Sequence, residues 1–244
     1  MRIAVIADIH GNLSALEAII ADLRITAPDA VFHGGDLVAN GFRPVEVTDR
    51  IREFGWQGVC GNTDEMLWRP ERLGELEITD PRRRRLREVL FRITGPATLQ
   101  RLGEERIAWL RTLPTVVRIG GLAILHASPM DLWRAPLAAS PDAELTSTYE
   151  GLQAETVVYG HIHAPFVRVL PQFTVANTGA ASLSYDGDPR ACYALVEDGR
   201  VSHRRIAYDI EREASGLRNS GYPCADWLAE ILRSGRYISP PAQF

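Results

Sequence analysis

The sequence predicts an α/β fold with partly parallel strands, and three observations support this prediction. Apolar, β-branched runs alternate with helical patterns over residues 2–60, an order typical of a partly parallel sheet. The composition then changes to a charge-rich segment, and strand-like runs return from residue 122 onwards. With 45% hydrophobic residues among 244, the chain has enough apolar material for one sizeable core.

The first five elements are predicted from their apolar spacing. Residues 2–9 form a nearly continuous apolar run, which is typical of a strand buried on both faces. Apolar residues at helical spacing predict a helix over 13–25, and a second buried run predicts a strand over 30–37. A helix over 45–54 and a short strand over 58–60 complete the β-α-β-α-β opening.

Residues 64–115 are rich in charge and in helix-forming residues and contain no obvious strand-like run. Helices are predicted at about 81–93 and 104–112, the second from the amphipathic spacing of its apolar residues. We therefore expect a helical insertion within one domain that spans residues 1–207.

The second half of the chain predicts consecutive, mostly antiparallel strands. The sequence Asp198-Gly199 is a type I′ hairpin signal between the last two. Residues 208–244 are expected to form a C-terminal helical arm, broken near Gly221-Tyr222-Pro223. The predicted strands cover residues 122–126, 156–159, 166–169, 173–176, 192–196 and 201–206.

Composition excludes several classes of function. The net charge of −4 gives no overall cationic attraction, so we expect neither a nucleic acid nor a membrane partner. Three cysteines without metal-type spacing predict neither a disulfide framework nor a zinc knuckle. No stretch approaches the roughly 20 apolar residues that span a membrane. We expect a cytoplasmic protein, and the sequence leaves its oligomeric state open.

Polar groups follow five of the predicted strands, where an α/β sheet binds ligands. Side chains two residues apart on an extended backbone share one face. The side chains of Asp8 and His10 should therefore point to the same side, and so should those of His161 and His163. Glycines before three of these positions allow close approach. Mixed carboxylate, amide and imidazole donors suit manganese, iron or zinc more than calcium. The predicted ligands are Asp8, His10, Asp36, Asn62, His126, His161 and His163.

Two other histidines fall outside this pattern. His33 lies within the second predicted strand and is expected in the core or behind the site. His203 lies in a late strand and is expected to be exposed.

The ordered motifs Asp8-x-His10, Gly35-Asp36, Gly61-Asn62, His126 and Gly160-His161-x-His163 resemble the calcineurin-like metallophosphoesterase superfamily over about residues 1–207. The resemblance is to a bacterial subgroup of small two-metal phosphoesterases. It implies a two-sheet β-sandwich flanked by helices. It also implies two divalent metal ions, the first held by Asp8, His10 and His163, the second by Asn62, His126 and His161, and both by Asp36.

The resemblance implies metal-dependent hydrolysis of a small phosphorylated substrate, with hydroxide between the two metals attacking phosphorus. Phosphodiesters are favoured; a phosphomonoesterase, a protein phosphatase and a dinucleoside polyphosphate hydrolase are the alternatives. Nickel can use the same ligands as manganese, iron and zinc. The implied catalytic set is Asp36, Asn62, His10 and His126. A non-catalytic scaffold of the same fold is a further alternative, but scaffolds typically lose metal ligands, and all seven positions are filled here.

One position departs from the family pattern. Many relatives carry histidine directly after the asparagine of the Gly-Asn motif, whereas this chain has Thr63. Because threonine is not an acid near neutral pH, the source of the leaving-group proton is open. Thr63 and Asn12 are candidate substrate-binding residues, although Asn12 could equally cap the helix that follows it. Residues 64–115 are expected to set substrate choice, with Trp68 and Arg69 as candidate wall residues, although Trp68 could equally pack in the core.

Overall fold

The computed structural model describes residues 1–76 and 80–242, apart from the side chain of Arg82, and these residues form two five-stranded sheets with helices outside them. The strands are β1 (Arg2–Ile6), β2 (Ala30–His33), β3 (Gln57–Gly58), β4 (Val116–Ile119), β5 (Leu122–Leu125), β6 (Thr156–Tyr159), β7 (Phe166–Val169), β8 (Thr174–Asn177), β9 (Ala191–Glu197) and β10 (Arg200–Ile206). The strand orders are β10-β9-β1-β2-β3 and β4-β5-β6-β8-β7.

The helices surround this sandwich. In chain order they are α1 (Leu13–Thr26), α2 (Pro44–Glu53), α3 (Asn62–Glu65), α4 (Arg72–Glu75), α5 (Pro81–Val89), α6 (Gly95–Leu102), α7 (Glu104–Leu110), α8 (Asp142–Tyr149), α9 (Ile210–Asn219) and α10 (Ala225–Ser234). Among the described residues, no helix is both long and apolar enough to cross a membrane.

The alternation of side chains along β1 explains how the core is divided. Ile3 and Val5 point into the layer between the two sheets, where they join Ile124 and Val158. Ala4 and Ile6 point to the opposite face and pack in the cluster that includes residues of α1. The expected strand buried on both faces is thus observed, because each face of β1 is covered.

Pairing in the second sheet differs from the prediction. β5, β6 and β8 run parallel to one another, whereas β4 and β7 pair antiparallel at the two edges. The expectation of mostly antiparallel strands is therefore wrong at the centre of this sheet. The link from β5 to β6 contains α8 and is long enough for a crossover, which parallel strands require. The β9–β10 hairpin returns to the first sheet, with positive φ at Asp198 and Gly199 as its turn signal predicts.

Several strands are shorter than predicted at their carboxyl ends. β1 ends at Ile6 rather than residue 9, and β2 ends at His33 rather than residue 37. The chain cannot remain extended there because Asp8, His10 and Asp36 have φ values of 56°, 51° and 55°. The last residues of each predicted strand therefore belong to a loop that leaves the edge of the sheet.

Helices occupy most of the charge-rich segment, although residues 77–79 lie outside the described part. α5 continues through a π-helical turn at Leu90–Thr94 into α6, so helical backbone extends well beyond the predicted residue 93. β4 and α8 were not predicted. α9 and α10 are separated near Gly221, as expected, and α10 packs with Val89 and Leu183.

Candidate metal centre and substrate cavity

The structure brings all seven predicted ligands to one rim of the sandwich. They lie on the loops that follow β1, β2, β3, β5 and β6, at the carboxyl ends of these strands. Six of them are almost fully buried, and His161 is partly exposed. The convergence follows from topology, because the strands that precede these loops end at the same rim of the sandwich.

Backbone carbonyls fix the orientation of three imidazoles. The Nδ1 atoms lie at hydrogen-bond distance from carbonyl oxygens in three pairs: His10 and Ala39 at 2.9 Å, His126 and Gly34 at 2.8 Å, and His163 and Leu183 at 2.7 Å. An Nδ1–H donated to a carbonyl leaves the Nε2 lone pair free. In all three histidines Nε2 faces the neighbouring candidate ligands, as metal coordination requires.

The two carboxylates lie between these imidazoles. Oδ1 of Asp8 is 3.4 Å from Nε2 of His163. Oδ2 of Asp36 is 3.7 Å from Nε2 of His10, and Oδ1 of Asp36 is 3.5 Å from Nε2 of His126. The two oxygens of Asp36 therefore face different histidines.

Asn62 lies between the imidazoles of His126 and His161. Its Oδ1 lies 2.8 Å from Nε2 of His126 and 2.8 Å from Nδ1 of His161. His161 thus presents Nδ1 to Asn62, whereas the other three imidazoles present Nε2 to the centre. Its backbone N–H donates to Oδ2 of Asp8 at 3.0 Å, which ties the fifth loop to the first.

Burial and neighbouring charges decide the protonation of these imidazoles. Burial, with the charge of His163, lowers the pKa of His10 to about 3. Burial, with the charge of His126, also lowers the pKa of His161. Burial lowers the pKa of His163 as well, but the charge and hydrogen bond of Asp8 outweigh it and raise that pKa. His10 and His161 are consequently neutral at neutral pH, which is the form that binds metals.

The expected one-sided pairs arise from a different backbone than predicted. Asp8 and His10 come together in left-handed rather than extended conformation, and so do His161 and His163, with φ values of 70° and 53°. Left-handed backbone is sparsely populated by non-glycine residues and clusters at functional sites. The expectation of extended backbone at these pairs is therefore wrong, although the side chains of Asp8 and His10 do lie close together.

Glycines allow the loops to approach one another, as expected. A Cβ atom on Gly61 would lie 2.1 Å from the backbone nitrogen of Asp36, and one on Gly160 would lie 2.8 Å from Oδ2 of Asp8. Gly35 has a φ of 84°. Any side chain at Gly61 would displace Asp36, which explains the Gly-Asp and Gly-Asn motifs.

Asp64 is a structural residue of the site that the sequence analysis missed. It is fully buried and accepts hydrogen bonds from the backbone N–H of Leu37 at 2.9 Å and of Gly61 at 3.1 Å. Burial, with the charge of Asp36, raises its pKa to about 7. Its place three residues after Gly61, at the start of α3, is a capping position that could have revealed this role.

The two candidate substrate-binding residues have different environments. Asn12 caps α1: its Oδ1 accepts from the backbone N–H of Ala15 at 2.9 Å, while its Nδ2 donates to Ser182 at 3.0 Å. These contacts favour the capping alternative over a substrate contact. Thr63 lies in the cavity wall, and its buried Oγ1 has no hydrogen-bond partner in the described part of the chain.

A cavity of about 670 Å³ opens beside the predicted ligands. Arg83, Arg87 and Arg134 line it together with apolar side chains of α5 and α10. The predicted wall residues are elsewhere: Trp68 packs against the core, and Arg69 forms ion pairs with acidic residues of its own segment. The wall contributed by the helical segment therefore begins later in the chain than expected.

The other two histidines lie outside the centre. His33 is fully buried in β2, as expected of a core residue. His203 is half-buried rather than exposed, because its Nε2 contacts the carbonyl oxygen of Asn177 at 2.6 Å.

Comparison with known proteins agrees with this geometry. The profile of the calcineurin-like phosphoesterase superfamily domain matches residues 1–199. A metallophosphoesterase from Sphaerobacter thermophilus has a similar crystal structure, with a TM-score of 0.78 and 26% identity over 96% of this chain and 100% of that one. A hypothetical protein from Pyrococcus horikoshii shares the fold, with a TM-score of 0.80 and 20% identity over 97% and 99%.

A sequence relative extends the comparison to nearly the full length of both proteins. An uncharacterized protein of Methanocaldococcus jannaschii is 26% identical over 257 aligned residues, covering 96% of this chain and 98% of the relative. The predicted two-sheet sandwich is confirmed by the fold shared with the S. thermophilus enzyme. The chain belongs to the calcineurin-like phosphoesterase superfamily, whose members use divalent metals, and it is a hydrolase of phosphoester bonds.

Proposed function

We propose that this chain hydrolyses phosphodiesters at a centre of two divalent metal ions. The observation that carries the proposal is the placement of Asp36. Its two oxygens face different imidazoles, Oδ2 toward His10 at 3.7 Å and Oδ1 toward His126 at 3.5 Å. A carboxylate placed in this way can contact two cations at once.

The charge balance of the site supports bound cations. Asp8 and Asp36 are buried, and within the described part of the chain their ion-pair contacts are with histidines alone. Burial lowers the pKa of His10 to about 3, so this imidazole does not neutralise Asp36. The pKa of His163 is raised beside Asp8, so this imidazole offsets only part of the buried negative charge. Buried charge that is left uncompensated is costly, and bound cations would supply the missing positive charge.

The donor set fits two ions. Asp8, His10 and His163 would hold the first, Asn62, His126 and His161 the second, and Asp36 both. When bound, such metals polarise a phosphoryl oxygen and lower the pKa of water. The mixture of carboxylate, amide and imidazole favours manganese, iron or zinc, and nickel can use it as well.

The chain's own groups orient this set. Carbonyl oxygens of Ala39, Gly34 and Leu183 fix three imidazole rings, and the backbone N–H of Thr63 fixes Asp36 at 2.8 Å. We assign the catalytic roles to Asp36, Asn62, His10 and His126. Such supporting hydrogen bonds hold the ligands in one geometry, and those donated by the imidazoles also raise the basicity of the other ring nitrogen.

The cavity supports a diester as substrate. It is much larger than a phosphate group and is lined by Leu86, Trp133, Trp227 and Ile231, which suits organic substituents. Thr63 provides no acid for a poor leaving group. We therefore expect a small diester with at least one acidic leaving group.

A second candidate substrate is a dinucleoside polyphosphate. Arg83 and Arg134 lie at the exposed part of the cavity and could bind additional phosphates. We also propose a cytoplasmic location, which three unpaired, buried cysteines support.

The test combines metal analysis with a substrate panel. Protein loaded with manganese, iron, zinc or nickel is assayed on bis-nitrophenyl phosphate, nitrophenyl phosphate and a dinucleoside polyphosphate. The proposal predicts two metals per chain and the highest kcat/KM on the diester. Preference for the polyphosphate would favour the second candidate, and preference for the monoester would contradict both. A folded protein that binds no metal would contradict the two-metal assignment itself.

A further inference from the structure

Arg87 lies in the last turn of α5 and lines the cavity that contains the candidate metal ligands. Its guanidinium carbon lies 4.2 Å from the centre of the Trp133 ring, and Nη2 is 3.5 Å from the Trp133 carbonyl oxygen. The guanidinium is therefore held against one indole face by a cation–π contact.

Trp133 is itself fixed in place. It is buried, its ring stacks on Phe91 at 5.1 Å between centroids, and its Nε1–H donates to Glu65 at 3.1 Å. Both the guanidinium of Arg87 and the indole that holds it line the cavity beside the candidate metal ligands.

Among the described residues, Arg87 forms no ion pair with a carboxylate, whereas Arg69 and Arg72, in the same insertion, pair with neighbouring glutamates. The side chain is partly buried, and this burial lowers its pKa to about 10, which keeps it charged at neutral pH. An unpaired cation in such a place favours an anion from outside the chain.

We propose that Arg87 is a catalytic residue that binds the non-bridging oxygens of the substrate phosphoryl group. The inference rests on the proposed function, because the same cavity would hold the phosphoester. A guanidinium offers two parallel N–H donors in a fixed plane, which match two phosphoryl oxygens. Charge that develops on these oxygens in the transition state would be stabilised by Arg87 in addition to the metal ions.

The experiment compares Arg87→Met, Arg87→Lys and the control Arg92→Met in the metal-loaded enzyme. Arg92 is exposed on the same helical segment and lies outside the cavity. Loss of one such donor typically costs about 10²–10³-fold in kcat, and we expect this for Arg87→Met. Inorganic phosphate should also inhibit Arg87→Met much less than the wild type. Arg87→Lys should recover only part of the kcat and of the phosphate inhibition, because lysine lacks the planar pair of N–H donors of a guanidinium.

A loss of activity should come from the missing guanidinium and not from a disturbed structure. Circular dichroism and metal content should therefore match the wild type in all three variants, and free guanidinium should restore activity to a fourth variant, Arg87→Gly. A purely structural role predicts instead a changed spectrum or metal content and no rescue by guanidinium, which would overturn the proposal. Wild-type kcat/KM and phosphate inhibition in folded, metal-loaded Arg87→Met would overturn the proposal. If Arg87→Met does not fold, the same result in Arg87→Lys would overturn it.

The outcome for the wild type separates the two proposals. If the wild-type protein binds no metal and hydrolyses no diester, the proposed function fails first. If the wild-type protein is active and the Arg87 variants are as active as the Arg92→Met control, the assignment of Arg87 fails and the proposed function stands.

Discussion

The backbone N–H of Thr63 donates a hydrogen bond to Oδ1 of Asp36, with nitrogen and oxygen 2.8 Å apart. The residue after Asn62 therefore holds the carboxylate that we propose to contact both metals. The side chain of Thr63 is not needed for this bond. The residue lines the cavity, and its buried Oγ1 has no hydrogen-bond partner among the described residues. Substitutions at Thr63 can consequently change leaving-group chemistry and leave the backbone support of Asp36 in place.

We expect Thr63→His to accelerate alkyl phosphoesters more than aryl phosphoesters. A positioned acid typically contributes about 10²–10⁴-fold, and the benefit is greatest for poor leaving groups. The measurement is kcat on a matched alkyl and aryl pair with saturating metal. Thr63→Val is the control, since it keeps the side-chain shape and adds no acid. Equal changes on both substrates would show that no leaving-group acid is missing.

Asp36→Asn should nearly abolish activity and keep the fold. An amide bridges two cations poorly, so the loss should exceed the roughly 100-fold that removal of an outer metal-supporting group can cause. Circular dichroism should be unchanged and metal analysis should show less than the wild-type content. Asp49→Asn, at a surface carboxylate paired with Arg106, serves as the control. Wild-type turnover in a metal-replete Asp36→Asn protein would refute the bridging role.

Removal of metal should lower thermal stability as well as activity. The buried carboxylates of Asp8 and Asp36 lose their compensating charge when the ions leave. A ligand present at 100 times its Kd stabilises the folded state by about 2.7 kcal/mol. We expect Tm to fall after chelation and to rise again when manganese, iron or zinc is added. A Tm indifferent to metal would argue against these residues as ligands.

Leu137→Ser should alter substrate preference without affecting metal binding. Leu137 is 51% exposed and lines the cavity, so a bulky organic group could cover it. Loss of about 1.4 kcal/mol of apolar contact would reduce kcat/KM for a bulky diester about tenfold. A small dialkyl substrate should be unaffected. Leu99→Ser, exposed outside the cavity, is the control, and an equal loss on both substrates would contradict a role in specificity.

Asp22→Asn should destabilise the metal-free protein at neutral pH. Asp22 is buried and accepts from Arg204 at 2.6 Å and from the Tyr193 hydroxyl at 2.7 Å. Its hydrogen bonds to Arg204, with that of Tyr193, hold its pKa below the usual value of 3.8. Loss of hydrogen bonds to a charged group costs about 1–3 kcal/mol of unfolding free energy.

The sign of the pH dependence follows from this lowered pKa. The stability contributed by Asp22 is fully present above its unfolded pKa of 3.8 and is lost as pH falls through the lower folded pKa. In urea unfolding, the difference in unfolding free energy between wild type and Asp22→Asn should therefore become smaller in acid. Asp226→Asn, at an exposed pair with Arg218, should change stability little at any pH. If this difference stays constant in acid, the destabilisation by Asp22→Asn comes from packing and not from the charge of Asp22.

The sequence alone determined which residues meet at the centre. Each ligand follows a short apolar run, and short-range patterns of this kind depend only on neighbouring residues. The glycines at 35, 61 and 160 are also local signals, since close approach of two loops demands them wherever the loops meet. For this reason the family, most helices and the seven residues that converge at the centre could be predicted before any contact was known.

Tertiary structure decided how the strands pair and what surrounds the centre. The parallel arrangement of β5, β6 and β8 depends on a crossover through α8, and no local pattern specifies it. The left-handed backbone of Asp8 and His161 results from hydrogen bonds between loops distant in sequence. Arg87 lies beside other arginines of α5 in the sequence, and only the packing of Trp133, 46 residues away, distinguishes it. Such contacts depend on which distant surfaces are buried together, so the sequence determined the candidate ligands and the fold determined the cavity.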